Sequence, residues 1–229
     1  MGEISRTDAR LAIFRQVRAS LQVRGDEPGR RGLVQSRLRN PQANLIPARA
    51  QQPRGELIKL FQTMLEKAGA KVARVRALKA IPEAIAAQLR EAGAPLRVRI
   101  GADPIFEALR TEPGGLEILQ GRAQADDPVG LSHAIAGAAE TGTLFLASGQ
   151  ANPSTLNFLP ETHQIVVLAN DIAGSYEEGW AKLRSIYGAG NMPRTVNLIS
   201  GPSRTADIEQ TMVMGAHGPR NLLVLIAGA

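Results

Sequence analysis

Residues 195–227 read TVNLIS, then GPSRTADIEQTMVMGAHGPRN, then LLVLIA: two apolar runs separated by glycines, prolines, hydroxyls, carboxylates, a histidine and two arginines. Each apolar run has the length of a strand and is bounded by turn residues, as expected of strands buried on both faces of a parallel sheet. The polar run from Ile199 to Arg220 is then a strand-to-helix crossover at a sheet edge, where open α/β sheets take ligands.

The same alternation extends towards the amino terminus. Leu57, Leu60, Phe61, Met64 and Leu65 recur at helical spacing and stop at Gly69, KVARVRA follows as a strand, and residues 81–92 follow as a helix. PLRVRI, a helix near 104–109, LEILQG, VGLSHAIAG, GTLFLAS, HQIVVLAN and a helix over 176–187 continue the series. Repeated alternation predicts an α/β fold with a mostly parallel sheet covered by helices on both faces. The strand-rich middle, 116–148, leaves room for an antiparallel section.

With 229 residues, 44% of them hydrophobic, the chain can bury the core of one sizeable domain. Zero cysteines exclude disulfides, a thiol nucleophile and any cysteine-ligated zinc or iron–sulfur site within the chain. No apolar run approaches the roughly 20 residues of a membrane span, and the start lacks a signal-peptide core, so a cytoplasmic protein is expected. The net charge of +6 is unevenly placed: residues 1–54 hold eleven arginines against four acids, and the remainder holds sixteen basic residues against seventeen acids. The division read from this is a basic leader, 1–54, and a main domain, 55–229. The leader has a helix over 7–21 and then an extended arm with prolines at 28, 41, 47 and 53. It lacks aromatic platforms for stacking bases, so a solvated arm is favoured over a nucleic-acid partner.

Three constellations could carry chemistry. In AETGTLFLASG, Glu140 precedes a glycine turn and could act as general base or acyl-accepting nucleophile, with Thr141, Gly142 and Thr143 holding an anion and Ser148 and Gly149 as further ligand-binding candidates at the end of the strand. The competing reading is a carboxylate that hydrogen-bonds a turn. In Gly201-Pro202-Ser203-Arg204-Thr205-Ala206-Asp207-Ile208-Glu209, Ser203 or Thr205 could cap a helix whose first turn carries Asp207 and Glu209. Capping leaves Gly201 and Arg204 unexplained, and these suit a phosphate or carboxylate. The lysine and spacing of a Walker loop are missing. In His217-Gly218-Pro219-Arg220, either both side chains line the same cleft, or Arg220 pairs with Asp207 or Glu209 and His217 satisfies loop carbonyls. His163, which opens the HQIVVLAN strand, is a further ligand-binding candidate, and His133 lies in LSHAIAG; three dispersed histidines give no metal-ligand spacing, so no metal site is expected.

VGLSHAIAGAAETGTLFLASG, LPETHQIVVL, ISGPSRTADIE and GAHGPR, in this order, resemble the lactate utilization protein C family of LUD-domain proteins. The resemblance covers roughly 129–220. It implies a three-layer αβα fold similar to the NagB/RpiA/CoA-transferase group. It also implies a part in a bacterial three-protein system that converts L-lactate to pyruvate, whose other two members carry iron–sulfur clusters. A chain without cysteine fits the cluster-free member. His133 and residues 135–138 depart from many relatives, giving the wall before Glu140 its own shape. CoA-transferases of the related fold use a glutamate, a residue and a glycine, to which Glu140-Thr141-Gly142 is similar.

Three functions follow in order of expectation. The first is an accessory or ligand-binding component of lactate utilization, partnered by iron–sulfur subunits. The second is a stand-alone enzyme acting on an anionic small molecule such as an acyl-CoA, sugar phosphate or folate. The third is polyanion binding by the arginine-rich arm. No cofactor is named by the sequence.

Overall fold

The computed structural model describes residues 6–188, 190–206 and 212–228, with the backbone alone described for Arg6, Ala206 and Met212. Two compact units divide between Ala43 and Asn44.

The first unit holds α1 (Arg6–Ser20) and α2 (Pro28–Arg39). The extended arm expected from residue 22 onward is therefore interrupted by a helix. Pro28 sits at its first turn, where a fixed φ and a missing N–H cost nothing, and Arg37 and Arg39 complement the dipole at its end. No residue of α2 is buried, which is why no helical periodicity marks it in the sequence.

The second unit runs α3 (Arg54–Lys67), β1 (Lys71–Val75), α4 (Ile81–Ala92), β2 (Arg97–Ile100), α5 (Glu107–Thr111), β3 (Glu117–Gln120), β4 (Val129–Ala134), β5 (Ala136–Ala138) and β6 (Thr143–Ala147). It continues with α6 (Thr155–Phe158), β7 (Thr162–Leu168), β8 (Ile172–Ala173), α7 (Tyr176–Tyr187), β9 (Val196–Ile199), β10 (Arg204–Ala206), β11 (Met212–Met214) and β12 (Asn221–Ala227). Six strands form the central sheet in the order β1-β12-β7-β4-β2-β3, with every neighbouring pair parallel.

Alternate residues of the central strands feed two cores. On one face Ile81, Ile85 and Leu89 of α4 and Leu109 of α5 pack on Val98, Leu131, Val166 and Leu225. On the other, Phe61 and Leu65 of α3, with Leu144 and Leu146 of β6, pack on Ile165, Val167, Val224 and Ile226. Each such buried side chain contributes about 1.5–3 kcal/mol. The result is a three-layer α/β fold with helices on both sides of the sheet. A second sheet, β8-β5-β6-β9, lies on the α3 side and contains the antiparallel pairs β5–β6 and β6–β9.

The crossover reading of 199–220 is corrected. β9 does not join β12 in one parallel sheet; it pairs antiparallel with β6 in the small sheet. In place of the expected helix start, β10 and β11 pair as an antiparallel ribbon, Arg204 opposite Met214 and Thr205 opposite Val213. Thr205 is thus a strand residue and not a cap. The β-branched Thr205 and Val213, paired across the ribbon, suit a pleated strand better than a helix. Asp207 and Glu209 lie outside the described residues.

Candidate functional site

A cleft of about 220 Å³ opens at the amino ends of β7 and β12. Open α/β sheets more often bind ligands beyond the carboxyl ends of their strands. Its position follows from the chain path: α6 precedes β7, the turn at 217–219 precedes β12, and residues 198–203 arrive from the small sheet. Leu198, Ile199 and Leu222 give it apolar walls, and Asn157, His163, Ser200, Ser203 and His217 bring the polar groups. Among the described residues none that lines it is an aspartate or glutamate.

His163 and Asn157 meet at Ser132 of β4. Ser132 Oγ lies 3.0 Å from His163 Nε2 and 2.9 Å from Asn157 Oδ1. This convergence depends on Gly130: a Cβ there would stand 2.3 Å from the Leu156 carbonyl oxygen, so only glycine lets α6 cross β4 so closely. Burial pushes the His163 imidazole down to about 3, and the ring is neutral at pH 7.

A second polar cluster reaches the cleft through Ser200. Thr143 Oγ1 lies 2.6 Å from Ser200 Oγ, 2.7 Å from Thr141 Oγ1 and 2.7 Å from the Tyr176 hydroxyl. Glu140, 6% exposed, accepts the Tyr176 N–H on Oε1 at 2.8 Å and donates its own N–H to the Gly174 carbonyl. It does not line the cleft.

The sequence-derived candidates thus divide. His163, Gly201, Ser203 and His217 share the cleft, and Thr143 touches it through Ser200. Thr141 belongs to that hydroxyl cluster, and Glu140 and Gly142 share its loop between β5 and β6 without lining the cleft. Ser148 Oγ accepts the Thr195 N–H at 2.9 Å, and the Gly149 N–H donates to the Asn152 carbonyl, both away from the cleft lining. The Arg204 guanidinium lies over Gly69. Arg220 stands 3.9 Å from Glu161 in an exposed pair that contributes little. Neither arginine lines this cleft, although Arg220 and His217 both line a neighbouring, more open hollow with Glu161.

At the opposite end of the sheet, His133 Nδ1 lies 3.1 Å from Asp103 Oδ2. Burial raises the Asp103 carboxyl, but hydrogen bonds from His133 and the Ile105 N–H outweigh it and hold the group below the usual carboxylate range. Sequence reasoning passed over Ser132, Asn157 and Ser200. The available signal was a serine inside the apolar VGLSHAIAG and an asparagine inside TLNF, polar residues that burial forces to find partners.

Among known proteins, a family model described as the LUD domain matches residues 58–227. An uncharacterized protein of Neisseria meningitidis serogroup B is 40% identical over 96 residues, covering 42% of this chain and 40% of that protein. Lactate utilization protein C of Shouchella clausii is 32% identical over 91 residues, 40% of each chain. These matches span about two-fifths of the curated relatives' length. A crystal structure of a DUF162 family protein from Deinococcus radiodurans superposes with a TM-score of 0.57 at 24% identity, over 77% of this chain and 99% of that one, and supports the fold. With the domain match running from α3 to β12 and taking in the whole cleft, the chain belongs to the LUD-domain family.

Proposed function

We propose that this protein is a cytoplasmic ligand-binding component of a bacterial L-lactate utilization system, and that its cleft holds a small organic acid. The observation that carries the reading is the cleft itself: a small apolar-walled space with Asn, Ser and His groups and, among the described residues, no lining carboxylate to repel an anion. Relatives named lactate utilization protein C support the pathway. A chain without cysteine can hold no cysteine-ligated cluster, so a redox role in such a system needs a partner, here iron–sulfur subunits, or a bound organic cofactor. The stand-alone enzyme with Glu140 as nucleophile draws less support, because that carboxylate is buried, engaged by Tyr176 and away from the cleft.

The test is a deletion strain grown on L-lactate and complemented with the wild type or with Ser203→Phe, which fills the cleft. Growth is expected to fail in the deletion and with the filled cleft at normal protein level. Tagged wild type is expected to bring down partners with iron–sulfur absorbance. Normal growth of both strains would overturn the proposal.

A further inference from the structure

The unit Met1–Ala43 leaves its apolar side chains in the open. On α1, Leu11 and Phe14 share one face with Leu21 just beyond the helix, at spacings of three and seven, and they are 55%, 44% and 62% exposed. On α2, Val34 and Leu38 stand four residues apart, 55% and 66% exposed, and no residue of that helix is buried. A two-helix unit of this size has too little chain for a core of its own, and apolar side chains grouped at a surface mark a place of contact.

The charges around these side chains narrow the choice of partner. Residues 1–43 hold nine arginines, no lysine and four acids. The arginines stand among the apolar side chains. Arg10 and Arg18, each four residues from Phe14, hold their guanidiniums 5.6 and 5.9 Å from its ring centre, and Arg30 and Arg31 lie one turn before Val34. A helix lying in a bilayer keeps its cations off the apolar face, so a membrane fits poorly. Phe14 is the one aromatic residue among residues 1–43 and its ring carries two guanidiniums, which leaves no platform for a nucleic-acid base. A second copy would bring like charge against like. Arginine beside apolar anchors is the composition of protein interfaces, and its planar fork pairs with carboxylates on two bonds.

We infer that α1 and α2 form the docking element for the iron–sulfur partner, seating in an apolar groove of that protein whose edges carry carboxylates. This rests on the partnership proposed above, and adds which part of the chain makes the contact and what the partner must present.

The probe is the iron–sulfur protein recovered with the tagged full chain, then purified away from it. It is titrated calorimetrically against the full-length wild type, a Val34→Ser, Leu38→Ser double variant and an Arg30→Glu, Arg31→Glu double variant. Because α2 buries nothing, both variants should keep the wild-type thermal midpoint. Partner affinity is expected to fall at least about tenfold in each, the loss typical of anchor residues. Unchanged affinity in either variant would overturn the docking assignment and leave the partnership standing. Wild-type protein that sediments with phosphatidylglycerol vesicles or duplex DNA, or forms a dimer, while both variants do not and still bind the partner, would overturn it and name the other occupant. Recovery of no iron–sulfur protein by the wild type would overturn both.

Discussion

Tyr176 donates its backbone N–H to Glu140 Oε1 at 2.8 Å, so the loop after β5 closes the start of α7. The neighbouring amides are satisfied within the helix itself. Ser175 Oγ accepts from Glu178 N–H, and Glu178 Oε2 accepts from Ser175 N–H, a complete capping box. Glu140 adds the Tyr176 amide and places a carboxylate where the helix dipole favours negative charge. The same helix presents the Tyr176 hydroxyl to Thr143, and Thr143 touches Ser200 at the cleft. The turn-ordering role of Glu140 and the polar side of the cleft are therefore mechanically joined.

Glu140→Gln keeps an amide oxygen for Tyr176 N–H but removes the charge, and should cost about 0.5–1.5 kcal/mol. Glu140→Ala removes a bond to an ionised acceptor and should cost about 2–3 kcal/mol. Urea unfolding measures both. If the role is confined to ordering α7, the Gln variant should support lactate-dependent growth. Wild-type stability combined with abolished growth in Glu140→Gln would favour chemistry at this carboxylate instead.

The middle of the parallel sheet was legible because β7 and β12 are buried on both faces and carry the apolar runs IVVL and LLVLIA. Helices α3 and α4 were legible because each buries one face, Phe61 and Leu65 in one and Ile85 and Leu89 in the other. The route from β9 to β12 was not. An apolar strand announces its burial but not its sheet, and β9 joined the small mixed sheet by pairing antiparallel with β6. The candidate site was legible where residues are close in sequence, as with His217 and Gly218. Ser132 lies 25 residues from Asn157 and 31 from His163, and they meet through the β4–β7 pairing and the crossing of α6 over β4, which no local pattern reports.

His163 gives a pH dependence whose sign is fixed by its burial. In the unfolded chain the ring takes up a proton as the pH falls through 6.5, whereas in the folded protein it does so near 3. Its contribution to stability is complete above pH 6.5 and is lost as the pH falls from 6.5 towards 3, at up to about 1.4 kcal/mol per pH unit. Between pH 7 and 5, wild-type stability should therefore fall by about 1–2 kcal/mol more than that of His163→Gln in urea unfolding. Asp103 and Asp127, whose burial is outweighed by hydrogen bonds from His133 and Arg99, add their losses nearer the ordinary aspartate range of 3.8 and below. Equal falls in the two proteins would mean that the native ring protonates readily.

Gly142 separates packing from ligand contact at the loop between β5 and β6. Its φ is +65°, which disfavours any side chain, and an added Cβ would stand 2.7 Å from Leu65 N and 2.9 Å from Met64 Cβ. α3 cannot retreat without withdrawing Phe61 and Leu65, both fully buried. The left-handed backbone and the overpacking together should make Gly142→Ala about 2–4 kcal/mol less stable in chemical denaturation. That loss, with L-lactate affinity unchanged in the fraction that remains folded, would place the glycine with the fold. An unchanged unfolding midpoint with abolished binding would instead put a ligand against this backbone.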